Sequence, residues 1–284
     1  MKRMTYGAAI LAAAICATCG KNDPQPASTP SEQPRINLTT DIAGLTRTPQ
    51  LDEEGRGSFA QGDVFSLYVH LDAKKAAALD YTVGRSTIYW KDLDFATEGA
   101  KVNFEACYPK QTLSEGGFDF TTSQDEAGDL LWASAAGVSV GTEKPVELTF
   151  RHALHRLTVK YTVEDSSVDA AKIETSCTAC ATARVELPEK QIKLGDTKKT
   201  FTKTGGEVHF LILPQQTENV TLEIRTGASS KTWKLSETDF AQPALEGGKQ
   251  VTVNLKIQNG QITFAGSTIE GWGDQGSVDD QITL

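Results

Sequence analysis

The sequence predicts an all-β protein with two tandem β-sandwich domains, and three observations support that prediction. Apolar and polar residues alternate with a period of two through much of the chain, which is the pattern of half-buried strands. Glycine pairs and one Asn-Gly pair separate the alternating runs, as tight turns do between short strands. The 284 residues exceed one ordinary sandwich and fit two, at roughly 100–150 residues per domain.

The clearest strands share strict alternation and lie at residues 65–71, 157–163, 220–224 and 251–257. Every second side chain of such a strand faces one side of its sheet, so each strand has an apolar face for a core and a polar face for solvent. Asn259-Gly260 follows the last of these strands and predicts a tight hairpin turn.

Helical signal is weak. Residues 73–79 are rich in Ala and Lys and predict about two helical turns, whereas residues 130–136 fit either a helix or a strand. The sequence becomes polar and small over residues 164–171, which predicts a domain boundary there. We therefore expect an N-terminal sandwich at 48–165 and a C-terminal sandwich at 166–284.

The N-terminus predicts export. Two basic residues precede a short apolar segment at residues 8–17, and that segment is shorter than the about 20 residues that a membrane-spanning helix needs. Small residues then lead to Cys19, so we expect a lipoprotein signal peptide at 1–18 and acylation of Cys19; a plain secretory signal is the alternative. Residues 19–34, rich in Pro and Ser, predict a flexible tether.

The chain is acidic, which argues against nucleic-acid binding. It has 28 Lys and Arg against 37 Asp and Glu, for a net charge of -9. Phosphate backbones and anionic membranes repel such a charge, so we expect neither as a partner.

Two motifs resemble metal or redox sites, but their context argues against that chemistry. His152 and His155 fall in residues 150–159, which predict one strand, and residues three apart on a strand face opposite sides. Cys177 and Cys180 lack the helix N-terminus of a redox motif and the second cysteine pair of a zinc site. A local disulfide between them and two free thiols remain equal alternatives.

No enzyme, cofactor or metal is expected. The sequence has no P-loop, no G-x-S-x-G and no G-x-G-x-x-G motif, and no pair of carboxylates can be selected for glycosidase chemistry. The four tryptophans each lie beside strand-like alternation, which favours core positions over a platform for carbohydrate stacking. They are Trp90, Trp132, Trp233 and Trp272.

Several segments, taken in order, resemble the fimbrillin family, the subunits of type V pili of Bacteroidales. They are GDVFSLY at 62–68, NFEACYP at 103–109, DLLWA at 129–133, LTFRHALHRLTV at 148–159, LPQ at 213–215, LEGG at 245–248 and TIEGW at 268–272. Each segment is short, and their shared order covers nearly the whole mature chain.

The resemblance implies two transthyretin-like β-sandwiches and a lipoprotein on the outer membrane, at the cell surface or in a fimbria. It also implies a maturation cut after Arg47, which makes Thr48 the first residue of the mature subunit. The cut would release a first strand at 35–47, in which Ile36, Leu38 and Ile42 share one apolar face.

The resemblance further implies assembly by strand exchange with other pilus subunits, in a homo- or heteropolymer, and binding to a surface receptor. The expected donor is a final strand with Val278, Ile282 and Leu284 on one face. Asp280 interrupts that strand, as would suit a subunit that accepts a donor and gives none.

Two other functions remain as alternatives. A surface glycan-binding lipoprotein of a nutrient-uptake system would expose tryptophans such as Trp90 or Trp233 as a sugar platform. A glycosidase would need a cleft with paired carboxylates.

Overall fold

A computed structural model of the protein describes residues 34–43, 59–124, 128–227, 229–238 and 243–272. The first strands in chain order are β1 (Arg35–Ile36), β2 (Leu38–Ile42), β3 (Val64–Asp72), β4 (Lys75–Thr82), β5 (Ile88–Tyr89), β6 (Lys101–Tyr108), β7 (Gly117–Thr121), β8 (Leu131–Ser139), β9 (Val146–His152) and β10 (His155–Val163). The later strands are β11 (Glu174–Cys180), β12 (Thr182–Glu186), β13 (Gln191–Leu194), β14 (Lys198–Thr204), β15 (Glu207–Ile212), β16 (Gln215–Gln216), β17 (Thr221–Arg225), β18 (Ser230–Lys234), β19 (Ala244–Leu245), β20 (Lys249–Gln258) and β21 (Gln261–Gly271).

Helical structure in these residues consists of short 3-10 turns, found at Trp90–Asp92, Ala170–Lys172, Thr217–Asn219 and Leu235–Glu237. Within the described ranges, no helix has the length and apolar character needed to cross a membrane.

The described strands form three larger sheets, a three-stranded sheet that links them, and two small pairs, β1-β5 and β16-β19. The first half of the chain forms a six-stranded sheet in the order β2-β9-β8-β6-β3-β4, and the second half forms β15-β10-β20-β21 and β14-β11-β17-β18. Strands β2 and β9 are parallel, as are β10 and β20. A three-stranded sheet, β13-β12-β7, pairs a strand of the first half with two strands of the second.

Three apolar cores follow from these layers. The first lies under the six-stranded sheet and is centred on Phe65, Phe104 and Phe150. The second lies between the two four-stranded sheets of the second half. The third joins the halves and combines Tyr68 and Phe118 of the first with Val185 and other residues of the second.

The all-β prediction is confirmed, and the strictly alternating segments are strands. They lie in β3, β10, β17 and β20. The hairpin at Asn259-Gly260 is also confirmed: it connects β20 to β21, and both residues have positive φ, 53° and 73°. Such angles suit Asn and Gly because other side chains strain there.

Two local predictions need correction. The predicted helix at 73–79 is wrong, because β4 occupies this segment and pairs with β3, with Leu79 opposite Leu67. Cross-strand packing there overrides the helical preference of Ala and Lys. The predicted single strand at 150–159 is two strands, because β9 ends at His152 and β10 begins at His155. The ambiguous segment at 130–136 belongs mostly to β8.

Several predicted features fall outside the described residues. They are the signal peptide and most of the tether, Cys19, Arg47, Thr48, and the final strand with Val278, Ile282 and Leu284.

Candidate functional site

The first strand lies at the edge of the six-stranded sheet. β2 runs parallel to β9, with Leu38 opposite Val146 and Ile42 opposite Phe150. Backbone hydrogen bonds extend this pairing at both ends: the Val146 N–H donates to the Asn37 carbonyl at 2.7 Å, and the Ala43 N–H donates to the Phe150 carbonyl at 2.8 Å. Only one side of β2 pairs with a strand of this sheet.

The side chains of this segment enter the first core. Ile36 and Ile42 are each only 3% exposed, and Leu38 is half-buried against the same core. Thr39 and Asp41, which alternate with them, are exposed. The structure thus places the three residues of the predicted apolar face on the inner side of the strand.

Together these contacts make a groove beside β9 that β2 occupies; we call it the β9 groove. The preceding β1 pairs with β5 instead, with Ile36 opposite Ile88. Its floor includes Val146, Leu148 and Phe150, which are all buried on the inner face of β9. Burial of one Ile side chain contributes about 1.5–3 kcal/mol, so Ile36 and Ile42 add substantially to the backbone pairing that holds this segment. A strand with apolar residues at the same alternate positions could make the same contacts.

The second element of the site is a junction where β9 ends. His152 Nδ1 lies 2.8 Å from Asp129 Oδ2, and the His152 ring stacks on Trp272 with 3.9 Å between ring centroids and 14° between planes. His152 and Trp272 are 2% and 3% exposed. Trp272 directly follows β21, and His152 ends β9. The stack therefore joins the end of the last described strand to β9, the strand with which β2 pairs.

His155 forms a separate contact at this junction. Its Nδ1 is 2.8 Å from the Glu246 carbonyl, and burial lowers its pKa to about 4. His152 and His155 therefore contact different groups, and no cluster of three or more metal-binding side chains occurs among the described residues.

A third polar pair lies on β3 and β6. His70 Nε2 is 3.9 Å from Glu105 Oε1, and His70 stacks on Tyr68 with 5.3 Å between ring centroids. Burial raises the pKa of Glu105 to about 7 and lowers the pKa of His70. Sequence reasoning missed this pair, because single polar residues within apolar strands give no local signal. It also missed the contact of Asp129, because its partner His152 lies on a strand that is not adjacent in sequence.

The cysteines of β11 are free thiols in the structure. Cys177 lies in the second core, and burial raises its pKa to about 12. Cys180, three residues on, donates to the Gly195 carbonyl at 2.9 Å. Residues three apart on a strand face opposite sides, so both thiols are held apart by the strand itself.

The tryptophans do not form an exposed platform. Trp90 and Trp272 are buried, as the sequence predicts, and Trp132 and Trp233 are half-buried against the third and second cores. Lys231 lies over the Trp233 ring, with its Nζ 5.7 Å from the centroid.

A family model described as fimbrillin-like matches residues 47–272, most of the chain. The chain belongs to the fimbrillin-like family. The family that the sequence motifs resemble is thus confirmed. The fimbrillin-like match begins at residue 47, so β1 and β2 lie before the matched region, and it ends at Trp272 of the junction.

Crystal structures of related fold support the same architecture. A candidate cell adhesion protein of Bacteroides uniformis is 18% identical, with a TM-score of 0.62 over 84% of this chain and 99% of that chain. One of Bacteroides ovatus is also 18% identical, with a TM-score of 0.58 over 84% and 98%. Identities this low show likeness of fold alone. No curated protein sequence matches the chain.

Proposed function

We propose that this fimbrillin-like chain is a structural or adhesive subunit of a type V pilus, assembled by exchange of its first strand for a strand of another subunit. The observation that carries the proposal is the β9 groove. The edge strand β2 fills it with the deeply buried Ile42, the preceding β1 buries Ile36 in the same core, and an arginine that a protease could cut, Arg47, follows β2 closely in sequence.

The physical logic begins with the cut after Arg47. Loss of β1 and β2 uncovers Phe150 and its neighbours in the β9 groove and leaves one edge of β9 unpaired. Bare apolar surface and unpaired backbone groups are both unfavourable in water. An incoming strand restores both, since its backbone pairs with β9 and its alternate side chains enter the core.

The donor in this proposal is the C-terminal segment. Val278, Ile282 and Leu284 have even spacing, as Leu38 and Ile42 do, so both sets share one face of an extended strand. Asp280 would face the same side, and a buried carboxylate without a partner is unfavourable. A subunit that accepts a strand without donating one would fit this feature.

The location we propose is the outer surface of the outer membrane, in a fimbria. Acyl chains on Cys19 would anchor the exported precursor, at about 0.8 kcal/mol per buried methylene. Partners would be other pilus subunits and a surface receptor. In this proposal the sandwiches at 48–165 and 166–284 are transthyretin-like, and the β7–β12 pairing between them stiffens the subunit along its length.

The test is intact mass spectrometry of the purified chain before and after treatment with a trypsin-like protease. We expect one stable product that starts at Thr48, followed by oligomers on gels. Arg47→Gln should remove both the product and the oligomers, while Arg85→Gln, at an exposed arginine elsewhere in the chain, should leave both unchanged. Degradation without a stable product beginning at Thr48 would contradict the proposed maturation cut after Arg47.

A further inference from the structure

We propose that Trp272, His152 and Asp129 form a latch that couples the β9 groove to the end of β21. The coupling deepens the proposed function, because residue 272 is the point at which the chain continues toward the proposed donor segment. Its effect on assembly therefore rests on strand exchange, whereas the latch itself is a property of the single chain.

β9 makes the physical connection. Its residues alternate between buried and exposed from Val146 to His152, so Phe150 and His152 face the same side of the strand. Phe150 is the register partner of Ile42, and His152 stacks on Trp272. The two contacts are two residues apart, or about 6.7 Å along a strand.

Backbone hydrogen bonds tie Trp272 to the same place. The Trp272 N–H donates to the Gly248 carbonyl at 3.0 Å, and the Gly248 N–H donates to the Leu154 carbonyl at 2.8 Å. Gly247 allows this close approach, because a Cβ on it would lie 2.6 Å from the Ala153 carbonyl oxygen. The end of β21 is therefore held against the turn that follows β9.

Asp129 contacts the same imidazole at a ring nitrogen, whereas Trp272 stacks on the face of the ring. It precedes β8, and its carboxylate reaches His152 Nδ1 at 2.8 Å. The Ala153 N–H donates to the carbonyl of the adjacent Leu130 at 2.7 Å. Segments far apart in sequence thus converge on one buried ring, so a change in the position of β9 alters the surface on which Trp272 lies.

Stacking, and not hydrogen bonding, is the contribution of the indole. Trp272 Nε1 has no hydrogen-bond partner among the described residues, while its ring lies parallel to that of His152. Offset-stacked rings gain energy beyond their burial. Phe in place of Trp272 should therefore keep much of the latch, and Ala should abolish it.

Hydrogen exchange on the intact, uncleaved chain tests the latch. Trp272→Ala should raise the exchange rates of β9 and β2 amides tenfold or more. The effect on β2 is informative because Trp272 is remote from β2 in the sequence and stacks on His152 at the end of β9. Trp272→Phe should raise them by threefold or less. Trp233→Ala removes a half-buried indole from the second core and should leave β9 and β2 unchanged.

Faster exchange confined to residues 243–272 in Trp272→Ala would overturn the latch. Should Trp272→Ala fail to fold, Asp129→Asn provides the second variant: it keeps the side-chain volume and removes the charge that faces His152. Unchanged exchange of β9 and β2 in Asp129→Asn would equally overturn it. Because no cleavage or partner is involved, the result stands apart from whether the chain assembles into pili.

Discussion

Two strands near the ends of the described chain, β2 and β21, are both edge strands, yet their side chains are buried to different extents. β2 pairs with β9 over five residues, and β21 pairs with β20 from Gln261 to Gly271. In the shorter strand Ile42 is 3% exposed, and Ile36 of the preceding β1 is equally buried. Of β21 itself, only Ile262 is buried.

For the proposed strand exchange, the contrast gives a reason to expect that β2 is replaced and β21 is not. Backbone pairing holds β21 along its whole length, and Trp272 fixes its end at the junction. A five-residue pairing with β9 and a few apolar side chains hold β2, and any strand with the same alternation offers equivalent contacts. The proposed function therefore assigns exchange to β2 and not to β21.

The largest expected effect compares two isoleucines, one on each edge strand. Ile42→Ala removes a fully buried side chain and should lower the free energy of unfolding of the full chain by about 2–5 kcal/mol. Ile269→Ala, at a half-buried position of β21, should lower it by roughly 1 kcal/mol. Urea unfolding measures both, and equal losses would remove the distinction between the strands.

Acid should weaken the junction that holds β21. The pKa of His155 is lowered to about 4 in the folded chain, so the unfolded chain binds its proton first as the pH falls below 6.5. The stability that neutral His155 contributes is complete above pH 6.5 and is lost toward pH 4, by roughly 3 kcal/mol. Urea unfolding of the wild type and His155→Gln at pH 7 and pH 4 checks this. Equal pH dependence in both chains would exclude His155 as the cause.

The smallest expected effect concerns the fit of β1 and β2 against the first core. Ile36→Val and Ile42→Val should each lower the free energy of unfolding by about 0.5–1.5 kcal/mol. The residues are six apart on an extended segment, or about 20 Å, so the two losses should add. Thermal unfolding of both single variants and the double variant measures this; strong non-additivity would mean that the two side chains do not occupy separate pockets.

Strand positions followed from the sequence wherever the signal was local. The period-two alternation of residues 251–257 and the Asn259-Gly260 turn are sufficient for β20 and its hairpin. The Ala-rich segment of β4 was wrongly predicted as a helix. Its structure depends on the pairing of Leu79 with Leu67 in β3, and no local sequence pattern shows that pairing.

The functional geometry shows the same limit. Alternation places Ile36, Leu38 and Ile42 on one face, but it does not show that this face meets β9 in parallel register. The junction was beyond local reasoning altogether, since Asp129, His152 and Trp272 lie far apart in the chain and belong to both halves.

A reversible lock of β2 onto β9 tests strand exchange most directly. Thr39 and Glu147 are exposed register partners, and neighbouring strands about 4.8 Å apart meet the geometry of a disulfide. Thr39→Cys with Glu147→Cys should, when oxidised and treated with the trypsin-like protease, remain monomeric, and reduction should restore oligomers. A control lock across β20 and β21, Gln250→Cys with Glu270→Cys, joins another register pair and should not stop assembly. Oligomers from the oxidised β2–β9 lock would contradict strand exchange at this groove.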